Sequence, residues 1–436
     1  MGVHQGAVHV EKDGAAVGEA VWRGTHALIK LVIRLKNERG FVVQRHGAAD
    51  RLRWALAADA CALVRSMPGI TRAGLAHELG ISSGTAADLV TRMRRAALLD
   101  EGESVVHGRG RPTSVLTAHP RGPLVVAVEI TTTGWRVAAA GLDGRLTVLA
   151  EAPHRDRRPA GMLAPIRRAV AAATREHAGR VRAVSVAAAA TIRDGAIVQS
   201  SVLGWEQVRL TSLAMPGAAM LITNDATSEA LAESRRGASR GARHALHLTV
   251  LTGVGGGLVL DGSPMLGATG LAMEIGHLPF GDPEAICDCG ARGCWDTALG
   301  AGPLSRRLGT APDSVPAIEA VIARGDPAHD GVLEAAATSL GRGLAGLVNT
   351  MDPDVVTLGG IGPLLRTRSP LAFEQALAGG LMRCLREAPP RILAGELGAD
   401  AALIGAAESA LDEVASPAGL AAWSAPDGAN HRRDPS

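Results

Sequence analysis

The chain runs to 436 residues, 47% hydrophobic and 20% charged, which accommodates two or three domains with ample core. Aromatic side chains are scarce, with no Tyr and three Phe, so the core must be built from Ala, Val and Leu. A net charge of +2 leaves nucleic-acid binding to local clustering, and the five cysteines do not form a secreted disulfide framework but fit a reducing cytoplasm.

Residues 1–50 mix Gly, His and charge without clear organisation, and no function is assigned to them. The apolar run Leu28–Leu35 is broken by Lys30 and Arg34 and is too short for a bilayer, so no membrane partner is expected. Residues 51–118 read as an all-α winged helix-turn-helix domain. Leu52, Leu56, Cys61, Leu63 and Val64 form an amphipathic stripe that ends at Pro68-Gly69. Thr71 caps a short helix over 72–79, Gly80 makes the turn, and Ser82 or Ser83 caps a second helix running to about Ala96. Leu75, Ala76, Leu79, Ala86, Leu89 and Val90 fall where a helix-turn-helix needs its small and apolar contacts. A two-stranded wing follows over 104–116. It carries Arg109 and Arg111 in a narrow Gly-Arg-Gly-Arg-Pro segment that suits an A·T-rich minor groove. Ser82, Ser83, Thr85, Arg92, Arg109 and Arg111 are the candidate contacts to operator DNA, with Arg94 and Arg95 also in reach of phosphates. A plain three-helix interaction module is the alternative.

Residues 119–123 read as a linker. Beyond it the pattern becomes α/β: strands over 124–130, 135–142 and 145–152, a helix over 162–177, and a strand over 181–188. That order opens an actin-like (ribonuclease H-like) ATPase lobe, the first half of a two-lobed domain spanning 124–414. A strand over 220–223 ends in Asn224-Asp225, and a helix follows over 226–234. The strand 246–251 enters a glycine turn, 252–257, and 258–260 leaves it. The strand 355–358 runs into Gly359-Gly360, 401–412 closes the domain as a helix, and 415–436 reads as a disordered polar tail.

Three of the five cysteines, Cys287, Cys289 and Cys294, crowd into one loop downstream of His277. Three thiolates and an imidazole suit tetrahedral zinc with no open position, so the zinc expected over 277–294 is structural.

These stretches together resemble the ROK family, which groups sugar-responsive repressors with sugar kinases. The resemblance rests on Gly108–Pro112, Leu203-Gly204-Trp205, Asn224-Asp225-Ala226, the glycine turn, Glu274-Ile275-Gly276-His277, the segment Cys287–Cys294 and Gly359-Gly360. The winged helix-turn-helix is similar to the repressor branch. The resemblance implies a sugar pocket lined by Asn224, Asp225, Glu274 and His277, with Asp296 standing where a Glu is usual. His277 then meets sugar through one ring nitrogen and zinc through the other. In a kinase of the family Asp225 would be the general base. The phosphate loop of active relatives, Asp-x-Gly-x-Thr, is here Glu129-Ile130-Thr131-Thr132-Thr133, and Thr131 crowds the phosphate path. A Pro-Gly turn is replaced by Ala187–Thr191, Met273 stands where Gly is usual, and Gly253 and Gly255 belong to a glycine turn whose role is now structural. The expectation is a sugar-responsive repressor, a homodimer or tetramer in the cytoplasm, that uses neither ATP nor magnesium. A sugar kinase with a DNA-binding appendage is the second reading, and a zinc-stabilised interaction module without a small ligand is the third.

Overall fold

The computed structural model describes residues 48–103 and 114–425. The wing segment with Arg109 and Arg111 and the first 47 residues lie outside them. The N-terminal module holds α1 (Ala48–Ser66), α2 (Arg72–Glu78), α3 (Ser83–Arg95) and an antiparallel pair, β1 (Leu99–Glu103) with β2 (Ser114–Ala118). The caps fall where the sequence placed them. Thr71 accepts from the Gly74 N–H, and Ser82 accepts from the Thr85 N–H, so each helix begins with an orphan donor satisfied. Leu116 N–H donates to Ile70 O, which joins β2 to the turn before α2.

The first lobe has a five-stranded sheet in the order β10-β6-β3-β4-β5. Its strands are β3 (Leu124–Ile130), β4 (Gly134–Ala140), β5 (Leu146–Pro153), β6 (Val181–Ala188) and β10 (Ala219–Asn224), with α4 (Pro159–Glu176) on one face. A small antiparallel sheet, β7 (Thr191–Arg193), β8 (Ala196–Ser200) and β9 (Trp205–Val208), is inserted after β6. Alternation along β3 decides the layers. Val126, Val128 and Ile130 pack toward α4, whereas Val125 and Ala127 join the core shared with the N-terminal module.

The second lobe repeats the plan with the order β13-β12-β11-β14-β15. It comprises β11 (His244–Val250), β12 (Val254–Leu260), β13 (Ser263–Pro264), β14 (Val355–Gly360) and β15 (Arg391–Ala394). Around them pack α6 (Asp296–Leu299), α7 (Ala301–Leu308), α8 (Val315–Arg324), α9 (Asp330–Met351), α10 (Gly362–Arg368), α11 (Pro370–Gly380) and α12 (Arg383–Glu387). Two helices cross beside the sheets, α5 (Asp225–Arg236) and α13 (Ala401–Val414). Their closest approach is at Gly405, where a Cβ would meet the Ser228 carbonyl oxygen at 1.9 Å. Only glycine fits there.

Three expectations need correction. Residues 415–425 are not tail: α14 (Pro417–Ser424) is capped by Ser416 and buries Leu420 and Trp423, whose indole N–H donates to Ala96 O at 2.8 Å. Small residues such as Ala418 and Gly419 made the stretch look unstructured, whereas its apolar contacts lie far away in sequence. The glycine turn is also shorter than read, because Gly255, Gly256 and Gly257 already pair within β12. A Cβ on Gly255 or Gly257 would stand 2.7 and 2.5 Å from Ala226 and Ala230, so these glycines admit α5 against the sheet. Finally, the segment 119–123 is no loose tether. Gly122 and Pro123 are enclosed, and one buried cluster runs from Leu75, Leu89 and Leu98 through Val125 to Leu411 and Trp423.

Candidate functional site

The parallel strands β3, β6 and β10 end level with one another, at Ile130, Ala188 and Asn224. Open α/β sheets present their ligand crevices at such carboxyl ends. Asn224 caps α5, with Oδ1 accepting from the Thr227 N–H at 3.0 Å and Nδ2 donating to Ala190 O at 3.1 Å. Its amide therefore fixes the crevice floor. Asp225 begins α5 and accepts from the Ala226 N–H at 2.9 Å. Withdrawal from water pushes its carboxyl up to about 7, helped by the neighbouring charges of Glu229, Glu129 and Glu274. A group that is half ionised near neutral pH can accept from a hydroxyl or donate to one.

Glu274 precedes a single 3-10 turn, Ile275–His277. Burial raises its carboxyl above the usual range, and hydrogen bonding to the Thr191 side chain works against that rise. Its Oε2 lies 4.0 Å from Nε2 of His277. The other ring nitrogen, Nδ1, is 3.8 Å from the Cys287 sulfur and 3.9 Å from Asp296 Oδ2. The two edges of the imidazole thus face two different environments. Asp296 accepts from the Val254 N–H at 2.7 Å, so the shorter acid ties the turn between β11 and β12 to this loop. Met273 keeps φ +68°, the left-handed backbone that glycine takes most easily, with its side chain in the core.

The ligand atoms of His277, Cys287, Cys289 and Cys294 lie within 4.8 Å of one another. The Cys289 and Cys294 sulfurs are 3.6 Å apart, too far for a disulfide and close to the roughly 3.8 Å edge of a zinc–thiolate tetrahedron. Gly290 turns the loop at φ +91°, and Cys287 N–H donates to Ala291 O across it. The donor set and its spacing fit a zinc ion.

On the opposite side of the crevice the chain's own groups fill the hydrogen-bonding positions. Thr131 Oγ1 accepts from the Gly134 amide at 3.1 Å and the Thr133 amide at 3.3 Å. Thr132 Oγ1 stands 3.5 Å from Thr252 Oγ1, across the two loops. Glu129 is paired with Arg136 at 2.6 Å, and the same guanidinium reaches Asp400 and the Ala399 carbonyl. Burial lifts the Glu129 carboxyl and Arg136 offsets part of that rise. Gly253 lies beside the Asp296 carboxylate, which a Cβ would meet at 3.2 Å.

The sequence profile of the ROK family matches residues 125–413. The chain belongs to the ROK family. A ROK family transcriptional regulator, a homologue of the Escherichia coli MLC protein, superposes with a TM-score of 0.67 at 20% identity. That match covers 86% of this chain and 99% of the regulator. The ROK family glucokinase of Streptomyces griseus, solved with glucose and AMPPNP, gives a TM-score of 0.57 at 25% identity over 66% of this chain and 98% of its own. The glucokinase of Streptomyces coelicolor is 28% identical over 234 residues, 48% of this chain and 73% of the relative.

Sequence reasoning missed Arg136, which is the partner of Glu129 only because β3 and β4 pair Glu129 opposite Arg136. It also missed a buried triad: His247 bonds Glu229 through Nε2 at 2.9 Å and Thr357 through Nδ1 at 2.8 Å. Glu229 lies one turn along α5 from Asp225, a spacing the sequence contains, whereas its partners come from β11 and β14. In the N-terminal module Ser82 at the N-cap of α3, and Ser83, Thr85 and Arg92 on the helix, all lie exposed. Arg94 is held by Asp100 at 2.8 Å. Among the described residues no helix is long and apolar enough to cross a membrane.

Proposed function

We propose that this protein is a sugar-responsive transcriptional regulator, a repressor that binds operator DNA through residues 51–118. The observation that supports this reading is the N-terminal module of α1, α2, α3 and the β1–β2 pair, built onto a ROK domain with the polar side of α3 open to solvent. The regulator's likeness extends over 86% of this chain, against 66% for the Streptomyces griseus glucokinase, in keeping with a shared N-terminal part. A sugar or sugar derivative binds among Asn224, Asp225, Glu274 and His277, where acids and an amide can pair with vicinal hydroxyls. Zinc on His277, Cys287, Cys289 and Cys294 holds that imidazole in place. The protein works in the cytoplasm as a homodimer or tetramer, so lobe movement changes the spacing of two α3 helices and with it the affinity for half-sites.

The second reading is an ATP-dependent sugar kinase with a DNA-binding appendage. It is favoured by Asp225, whose carboxyl near 7 is tuned for a general base. The occupied Thr133 and Gly134 amides and the Glu129–Arg136 pair argue against it. The test is ATP turnover by the zinc-loaded protein over a panel of hexoses and N-acetylated hexosamines, with binding to promoter-region duplexes followed in parallel. No turnover together with sugar-dependent release of DNA is the expected result. Turnover that disappears in Asp225→Ala would overturn it.

A further inference from the structure

The ROK domain and the helix-turn-helix are joined by a charge cluster that the sugar site does not use. Glu408, on α13, is 1% exposed. Its carboxylate is shared by guanidinium groups from two other helices: Arg65 from α1 at 3.3 Å, and Arg235 at 3.1 Å and Arg236 from α5. Asp412, one turn further along α13, takes Arg65 at 3.2 Å and Arg235 at 2.6 Å. The same two α5 residues also reach both sheets. Arg236 donates to Gly144 O in the β4–β5 turn, and Arg235 donates to Gly262 O in the β12–β13 turn. Both turns, α1, α5 and α13 therefore converge on one pair of carboxylates.

The other end of α5 is the crevice, where Asn224 caps the helix and Asp225 begins it. Between the ends the helix is gripped at Glu229 by His247 and at Glu233 by the amides of Ala238 and Leu397. These contacts hold the twelve-residue helix along its length. It crosses α13 at backbone contact through Gly405. We infer that α5 transmits occupancy of the crevice to the DNA module, and that the Glu408 cluster is its coupling, with Arg65 as the positioning residue on the DNA side. A shift of Asp225 toward a ligand moves Arg235 and Arg236 relative to Glu408. The balance of charge holding Arg65, and so the seating of α1 beneath α2 and α3, then changes. Buried ion clusters have discrete partners rather than a continuum of positions, which suits an element with two states.

The inference rests on the proposed sugar-responsive DNA binding, and the two can fail separately. The experiment uses the full-length, zinc-loaded protein and a duplex that it selects from a random library. Its affinity is measured by fluorescence anisotropy, without sugar and with each of glucose, mannose, galactose, N-acetylglucosamine and N-acetylmannosamine at saturation. Wild type should change its DNA Kd by about tenfold with at least one of them. In Arg65→Met that ratio should fall below about threefold, while the Kd for sugar stays within about threefold of wild type. Arg65→Lys keeps a cation and should restore most of the ratio. If Arg65→Met does not fold, Arg236→Met cuts the same path from the α5 side. A wild-type protein indifferent to every sugar would overturn the functional reading and this inference with it. A responsive wild type whose Arg65→Met and Arg236→Met variants keep the full ratio would overturn the inference alone.

Discussion

At the scale of single residues, Asp225 concentrates the chemistry. Its folded carboxyl titrates near 7 because burial and three acidic neighbours disfavour the charge, whereas in the unfolded chain it ionises near 3.8. The raised value means that the unfolded chain gives up this proton first. On this account stability is fully present below about pH 4, is lost progressively as pH rises to about 7, and is constant above. The slope of that loss is at most about 1.4 kcal/mol per pH unit. Asp225→Asn removes the titration. Its melting temperature should gain on wild type between pH 4 and 7 and then hold its lead, while sugar binding is lost. Parallel melting curves for the two proteins across that window would show that Asp225 ionises normally. The acids, His277 and the cysteines were legible because each sits inside a local run of characteristic residues. Arg136, Glu229 and His247 were not, since strand register and helix packing supply their partners. Arg136 carries no motif of its own, yet it pairs with the Glu129 carboxylate.

At the scale of elements, the loop that carries Cys287, Cys289 and Cys294 is short and has little core of its own. Between Phe280 and Cys294 few large apolar side chains are enclosed, and Ile286 is 68% exposed. Such a loop is ordered by its ligands. Cys289→Ser should lower bound zinc from about one per chain to near zero and loosen the loop that orients His277, so sugar affinity falls with the metal. Elemental analysis of the purified variant checks the ligand set; retention of zinc at wild-type content would remove Cys289 from it. The central strands were legible as apolar runs, with 124–130 and 181–188 matching to the residue, whereas the short edge strands β13 and β15 went unread. The helices between 300 and 390 went unread because their residues carry no motif. The glycine run was divided wrongly for a physical reason: glycine marks close approach as well as turning, and at Gly255 and Gly257 the neighbour is α5.

At the scale of the whole molecule, the N-terminal module shares its core with the ROK domain. Ala57, Cys61, Leu89 and Leu98 belong to the same buried cluster as Val125, Leu411, Leu420 and Trp423. Alone, residues 48–123 would expose the faces that α13 and α14 cover, and a chain of about 75 residues is already near the lower limit for a self-sufficient core. Removing the cover of Leu420 and Trp423 forfeits about 2 kcal/mol for each side chain. Without α13, Arg65 also loses Glu408 and Asp412, the ion pairs that tie α1 to the ROK domain. The fragment 48–123 should therefore melt broadly by circular dichroism and bind DNA poorly, whereas the full chain should unfold α1 together with the first lobe. Hydrogen exchange reads the second half of that expectation directly, because α1 amides should share the protection of α13. A fragment with a sharp transition and full DNA affinity would make the module an independent reader joined by contact only, and the route from the crevice would then have to pass through the assembly of subunits.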